Sequence, residues 1–226
     1  MVMPLPDVFT PEETAQGDVP PFGGPGGRWE NPLYVLDREM RSVGGDHARL
    51  THTPARAVIN LRAGEGSLAE VGRVFGVMPP TTPNTWAASA DGRRLALWLG
   101  PDEWLLVAPD GSAPRIECGI RDTRPNDGWL SVVDLGHQYA TLMLSGRRAR
   151  LVLSKGCRLD LHPRGPLQPG ACVQTDLARA RVLLRFDRAL AGGDAIEIWV
   201  RNSFARYAAL WLIDALRDLD HEPADF

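Results

Sequence analysis

Lysine is nearly missing from this chain. Lys155 stands alone among 25 basic residues, and every other one is arginine. With abundant alanine, glycine and proline, that bias points to GC-rich coding rather than to a demand for bidentate arginine contacts. Cysteine is scarce too. Cys118, Cys157 and Cys172 are an odd number without C-x-x-C spacing, which argues against a disulfide framework or a zinc ribbon. No apolar run approaches the roughly 20 residues of a membrane-spanning helix. Residues 1–27 lack the basic and apolar regions of a secretory signal, so the cytoplasm is the expected compartment. A net charge of −3 gives no basic field for nucleic acid or an anionic membrane. There is no G-x-G-x-x-G following a strand and no G-x-x-x-x-G-K-[ST], which leaves nucleotide binding without footing. The G-x-S-x-G elbow of a serine hydrolase is also absent. Aromatic residues lie scattered through apolar strands, not interleaved with bases as an RNA platform needs.

What is present reads as a globular α+β protein. At 226 residues, 44% hydrophobic and 23% charged, the chain can build a real core. Residues 1–32 are rich in Pro and Gly and poor in aliphatics, so they read as a flexible extension, with Phe22 and Trp29 among its aromatic side chains. Residues 33–226 read as the folded domain, opened by Leu33–Met40 as a helical turn or an extended arm. Ala57–Arg62 predicts a strand. Ser67–Phe75 predicts a helix capped by Ser67, with Glu70 at the capping-box position and Leu68, Val71 and Phe75 on one face. Three prolines make Met78–Thr85 a loop. Arg94–Leu99 and Glu103–Ala108 predict a hairpin about Gly100-Pro101-Asp102. Pro114–Asp127 is ambiguous. Trp129–Leu135 and Tyr139–Leu144 predict a second hairpin about Gly136-His137. Arg181–Phe186 and Ala195–Val200 predict a third pair, separated by Ala191–Asp194. Ser203–Leu219 is the strongest helix, capped by Asn202 or Ser203, with Phe204, Ala208, Trp211, Leu212, Ala215 and Leu219 on one face. The order suggests antiparallel sheets with helices packed on them, in two similar halves.

Ser145–Thr175 concentrates the reactive side chains. It predicts a short helix capped by Ser145, burying Ala149, Val152 and Leu153, and ended by Gly156 in the left-handed conformation that glycine reaches without strain. Pro169-Gly170 then turns the chain into a strand, Ala171–Thr175. Lys155, Cys157 and His162 lie within eight residues. Cys157 follows a helix C-terminus, the negative end of the macrodipole and a poor setting for a thiolate, while Arg158 pulls the other way. His162 reads as a loop histidine bonded to backbone. Asp134 and His137 with Ser131 or Ser145 lack a nucleophile elbow. His47 and His52 near Asp46 have no second ligand cluster. These residues predict no catalytic, cofactor-binding or metal-binding site in this chain.

Three stretches together resemble the gamma subunit of the heterotetrameric sarcosine oxidase family. The first is Gly76-Val-Met-Pro-Pro-Thr-Thr-Pro-Asn84-Thr85, leading to Leu97-Trp-Leu-Gly-Pro-Asp-Glu-Trp-Leu-Leu106. The second is Val133-Asp-Leu-Gly-His137, with Leu144-Ser-Gly146 and Gly156-Cys-x-Leu-Asp-Leu-His-Pro163. The third is Pro169-Gly-x-Cys-x-x-Thr175, completed by Arg201-x-Ser-Phe-Ala205. Ile59-Asn-Leu-Arg62 also fits. The resemblance runs from about Ala57 to Leu219 and excludes the amino-terminal extension. Asn202 is inserted where the family often runs arginine directly into serine.

The resemblance implies an accessory, non-catalytic chain. The complex as a whole oxidatively demethylates sarcosine, yielding glycine, hydrogen peroxide and a one-carbon unit. It implies alpha, beta and delta subunits as partners. FAD, FMN, NAD, zinc and tetrahydrofolate are expected on those partner subunits and none on this chain. It implies a fold like the folate-binding domain of the glycine-cleavage T-protein. It also implies that the isolated chain leaves an apolar patch exposed. The alternative is a stand-alone folate-binding or one-carbon transfer protein, which rests on fold analogy. Lys155-Gly156-Cys157-Arg158 is also similar to a motif of the folate-dependent iron–sulfur maintenance proteins. That motif continues with an aromatic residue and Gly-Gln, whereas Leu159-Asp160 follow here, which argues against that role.

Overall fold

The computed structural model describes residues 31–123, 128–136, 138–188 and 193–221. The described chain starts at Asn31, whose Oδ1 accepts from the Leu33 N–H at 3.0 Å while Nδ2 donates to the Thr53 carbonyl at 3.2 Å. A 3-10 turn, Tyr34–Leu36, leads into the short helix α1 (Asp37–Arg41). Leu33, Leu36 and Met40 are buried in one cluster with later elements.

Two series of elements follow. The first comprises β1 (Arg49–His52), β2 (Arg56–Ala63), α2 (Leu68–Phe75), β3 (Trp86–Ala88), β4 (Leu95–Gly100), β5 (Glu103–Pro109) and α3 (Ala113–Arg121). The second comprises β6 (Leu130–Asp134), β7 (Tyr139–Gly146), α4 (Ala149–Ser154), β8 (Cys172–Leu177), β9 (Ala180–Arg188), β10 (Asp194–Arg201) and α5 (Asn202–Arg217). A 3-10 turn, Asp218–His221, ends the described chain. One antiparallel sheet has the order β3-β4-β5-β2-β6, and the other β8-β9-β10-β7-β1. Position by position the two orders correspond, with one exchange. Each series lends its first strand to the other's sheet, β1 beside β7 and β6 beside β2. The expected α+β fold with two similar halves is what the chain adopts.

That exchange corrects the hairpin expected about Gly136-His137. β6 and β7 are consecutive strands in different sheets. Leu135 donates its N–H to the Val58 carbonyl at 2.8 Å, prolonging the first sheet, and Gln138 accepts from Asn202 N–H at 2.9 Å on the second. A tight turn fits either a hairpin or a change of sheet, and local turn chemistry does not report which ladder comes next. His137 lies outside the described residues. The other two expected pairs stand, as β4–β5 and β9–β10.

Three apolar clusters define the layers. One joins the β7–β10–β9 side of its sheet to α1, α4 and α5. Another joins β2, β5 and β6 to α2 and α3. The third contains only strand residues from both sheets, among them Val58, Leu97, Leu105, Leu183 and Trp199. The sheets therefore pack face to face, each with helices on its outer side. Strands buried on both faces carry near-continuous apolar runs, as in Trp104–Ala108 and Ile196–Val200. Thr85 and Ala171, just before β3 and β8, form an isolated bridge that links corresponding ends of the halves.

Several local expectations change. Ser67 does not cap α2; its hydroxyl donates to the Trp129 carbonyl at 3.4 Å, and a 3-10 turn, Glu65–Ser67, precedes the helix. Glu70 pairs with Arg73 instead of closing a capping box. The helix ends at Gly76, at φ 78°. The ambiguous Pro114–Asp127 contains all of α3 but its first residue, with residues 124–127 outside the described set, as are 191 and 192 of the expected Ala191–Asp194 connection. Ser145 belongs to β7, so it caps nothing. Gly156 is not left-handed. It is needed for space, because a Cβ there would stand 2.4 Å from Cζ2 of Trp211. No side chain caps α5, and Phe204, expected on its buried face, is 45% exposed. The expected Ala208, Leu212, Ala215 and Leu219 are buried, and Ala205, Ala209, Ile213 and Leu216 complete the core face. Each large member adds about 1.5–3 kcal/mol by burial as an upper bound.

Candidate functional site

The reactive residues of the Ser145–Thr175 stretch are close in sequence but take separate partners. Lys155 Nζ donates to the Ala215 carbonyl and to Asp218 Oδ2, each at 2.8 Å, so the one lysine ties the end of α4 to the end of α5. Cys157 is buried, with Sγ 3.9 Å from the Thr175 hydroxyl. His162 is exposed, and its Nδ1 accepts from the Arg164 N–H at 3.1 Å, a loop role as expected. Asp134 accepts from the Gly136 N–H at 2.7 Å, closing a local turn. Ser131 and Ser145 lie in different sheets. His52 faces Asp37 at 3.5 Å and Asn31 at 3.3 Å, which fastens β1 to the start of the fold. Among the described residues no three His, Cys, Asp or Glu side chains gather as a metal ion requires. All three cysteines are free.

The strongest concentration of buried charge lies between the sheets and escaped the sequence reading. Glu197 on β10 is 1% exposed. Its carboxylate receives Arg56 from β2 on Oε1, and Arg185 of β9 on Oε2 at 2.9 Å. The Trp199 indole N–H donates to the same Oε2 at 3.1 Å. Arg56 lies 4.5 Å above the Trp199 ring, and Arg185 4.4 Å from that of Trp86. Asp187 takes a second nitrogen of Arg185 at 3.1 Å. Burial alone would push the Glu197 carboxyl up. The charges of Arg56 and Arg185, and the hydrogen bonds they donate, outweigh it and hold the group below its ordinary range. Beside this cluster, burial pushes the Cys172 thiol up to about 12, with Arg185 acting against it and Glu197 with it, so the thiol stays protonated and inert.

The Glu197 carboxylate is fully engaged, while Arg56 Nε has no hydrogen-bond partner among the described residues. The charges of the two arginines are balanced by Glu197 and Asp187. It joins the first half to the second through Arg56 and Glu197. The sequence signal was a single acid in the run Ala195-Ile-Glu-Ile-Trp-Val200, where strand alternation turns residues 197 and 199 to the opposite face from Ile196 and Ile198. A second buried pair, Arg150–Asp194 at 2.8 Å, fixes α4 to the start of β10, with Arg150 also donating to the Leu167 carbonyl at 2.7 Å.

Comparison with known proteins gives this architecture its setting. The family described as sarcosine oxidase, gamma subunit, matches residues 63–218. The chain belongs to the sarcosine oxidase gamma subunit family. The gamma subunit of sarcosine oxidase from Corynebacterium sp. strain P-1 is 36% identical over 162 residues, covering 71% of this chain and 74% of the relative. That of Corynebacterium sp. strain U-96 is 34% identical over 184 residues, covering 80% and 85%. A chain of the heterotetrameric sarcosine oxidase from Corynebacterium sp. U-96, solved with pyrrole 2-carboxylate, superposes with a TM-score of 0.74 at 30% identity. The match covers 87% of this chain and 99% of that one. The expected family membership is borne out. The family segment Leu97–Leu106 forms the β4–β5 hairpin, where Asp102 at the turn receives Arg62 at 2.6 Å and Trp104 donates to the Pro80 carbonyl at 2.8 Å. These family residues build structure.

Proposed function

We propose that this chain is the accessory, non-catalytic gamma subunit of a flavin-dependent heterotetrameric sarcosine oxidase in the cytoplasm. Alpha, beta and delta subunits are its partners. They hold the flavins FAD and FMN, NAD, zinc and tetrahydrofolate, and carry out the oxidative demethylation. The chain itself supplies no catalytic residue and no cofactor or metal ligand. The match to a chain of a heterotetrameric sarcosine oxidase over 99% of that chain's length carries the reading. The fates of the reactive side chains support it. Lys155 closes a helix end, Cys157 and Cys172 are buried, His162 faces a loop, and Glu197 is satisfied by its neighbours.

Isolation of the tagged full chain from its own host tests the proposal. The expected eluate contains larger chains and a bound-flavin visible spectrum. A colourless solitary chain overturns the reading.

A further inference from the structure

The two halves carry corresponding helix pairs on corresponding sheets, which makes each a control for the other. On the first half, α2 and α3 turn Ala69, Glu70, Arg73, Arg115 and Arg121 outward. Ion pairs at helical spacing, Glu70–Arg73 at 2.9 Å and Glu117–Arg121 at 2.7 Å, dress that surface for water. On the second half, the outward face carries Leu151 of α4, 45% exposed, with Phe204, Tyr207 and Leu210 of α5 at 45%, 38% and 42%. Phe204 and Tyr207 meet edge to face at 6.5 Å. The fold does not demand this dress of its helices, because α2 and α3 themselves expose no large apolar side chain, Met78 beside Gly72 being in the loop after α2. Aromatic side chains flanked by aliphatic ones are the usual centre of a protein–protein contact.

Charge narrows the occupant. Exposed Arg206 and Arg217 follow one flank of the α5 stripe, Arg147 precedes α4, and Asp214 is the acid on the outer side of α5. From Tyr139 to His221 the chain holds thirteen basic and eight acidic residues, whereas from Asn31 to Asp134 it holds eleven and thirteen. A second copy docked about a twofold axis would set this basic-flanked face against itself. An apolar patch bordered by acidic side chains fits it instead.

We propose that the outer face of α4 and α5, centred on Tyr207 and Leu210, docks this chain onto such a patch on another subunit of the oxidase. This rests on the subunit reading above. The test co-expresses the tagged full chain with the other subunits of its complex and quantifies what each variant retains. The Tyr207→Glu, Leu210→Glu double variant is compared with Ala69→Glu, Arg115→Glu on the opposite helix pair. Circular dichroism and thermal melting of each chain separate docking from folding. The expected result is at least a tenfold loss of retained subunits for the α5 variant, a change of less than twofold for the control, and unaltered melting of both. Full retention by the α5 variant overturns the docking face and leaves the subunit reading intact. No retention by the unmodified chain overturns both. A dimer of the chain alone that the α5 variant dissolves overturns the choice of occupant.

Discussion

The two helix layers differ in how they close as well as in what they show to solvent. Between α2 and α3, Gly119 lets the pair approach with a virtual Cβ 3.1 Å from a methyl carbon of Val74. Between α4 and α5, Gly156 lies so close under the Trp211 ring that a Cβ would overlap it at 2.4 Å. The polar outer layer is fastened by exposed ion pairs, which contribute little. The apolar layer is fastened by the Arg150–Asp194 pair beneath it, with exposed Lys155 across its end. Both halves then lock together through one ion cluster, Arg56 from the first and Arg185 and Glu197 from the second.

The largest effect is expected where the halves meet. Glu197→Gln leaves two arginines without their shared carboxylate between packed sheets and should destabilise the chain by about 3–5 kcal/mol, read from denaturant unfolding at neutral pH. Its pH dependence has a defined sign. The folded-state pKa of Glu197 lies below the ordinary 4.5, so its stabilisation is fully present above that value and is lost as pH falls through the depressed folded one. The melting temperature of the unmodified chain should therefore drop more steeply below pH 4.5 than that of Glu197→Gln. Parallel profiles would deny the carboxylate this role.

A smaller effect separates the two helix layers. Gly156→Ala overlaps the Trp211 ring and should cost about 1–3 kcal/mol by overpacking. Gly119→Ala, inside a helix and facing a movable methyl group, should cost less, because a helical alanine is favoured over glycine by about 1 kcal/mol. Equal losses would show that the close approach at Gly156 is not specific. The smallest effect belongs to Lys155→Ala. Its carboxylate partner is exposed, so the pair is worth at most about 1 kcal/mol, plus a few tenths from the helix C-terminus it closes.

Much of this fold was legible in the sequence. Short apolar runs between turn residues marked β4, β5, β9 and β10, and the stripe Leu68–Val71–Phe75 marked α2, since each pattern reports burial directly. The strand exchange was not, because Leu135–Gln138 has the same turn chemistry whether the next strand pairs with the last or crosses to another sheet. Helix caps were overread. Ser67, Ser145 and Asn202 or Ser203 were plausible by type, but a tertiary bond claims Ser67, strand pairing claims Ser145, and α5 starts at Asn202 itself with no side-chain cap. The helical stripe of α5 was misplaced at Phe204, since periodicity alone cannot tell a face that packs inside the chain from one left for another chain. Glu197 needed knowledge of which strand faces the second sheet. For the candidate site, sequence distance made Lys155, Cys157 and His162 look like a cluster, and the end of α4 and the β8 approach separate them.

Steady-state kinetics of the assembled oxidase carrying Cys157→Ala or His162→Ala in this chain tests the central claim most directly. A chain that supports the complex without taking part in its chemistry predicts an unchanged kcat per assembled flavin, with any loss confined to the yield or stability of the complex. A large fall in kcat in a normally assembled complex would contradict it.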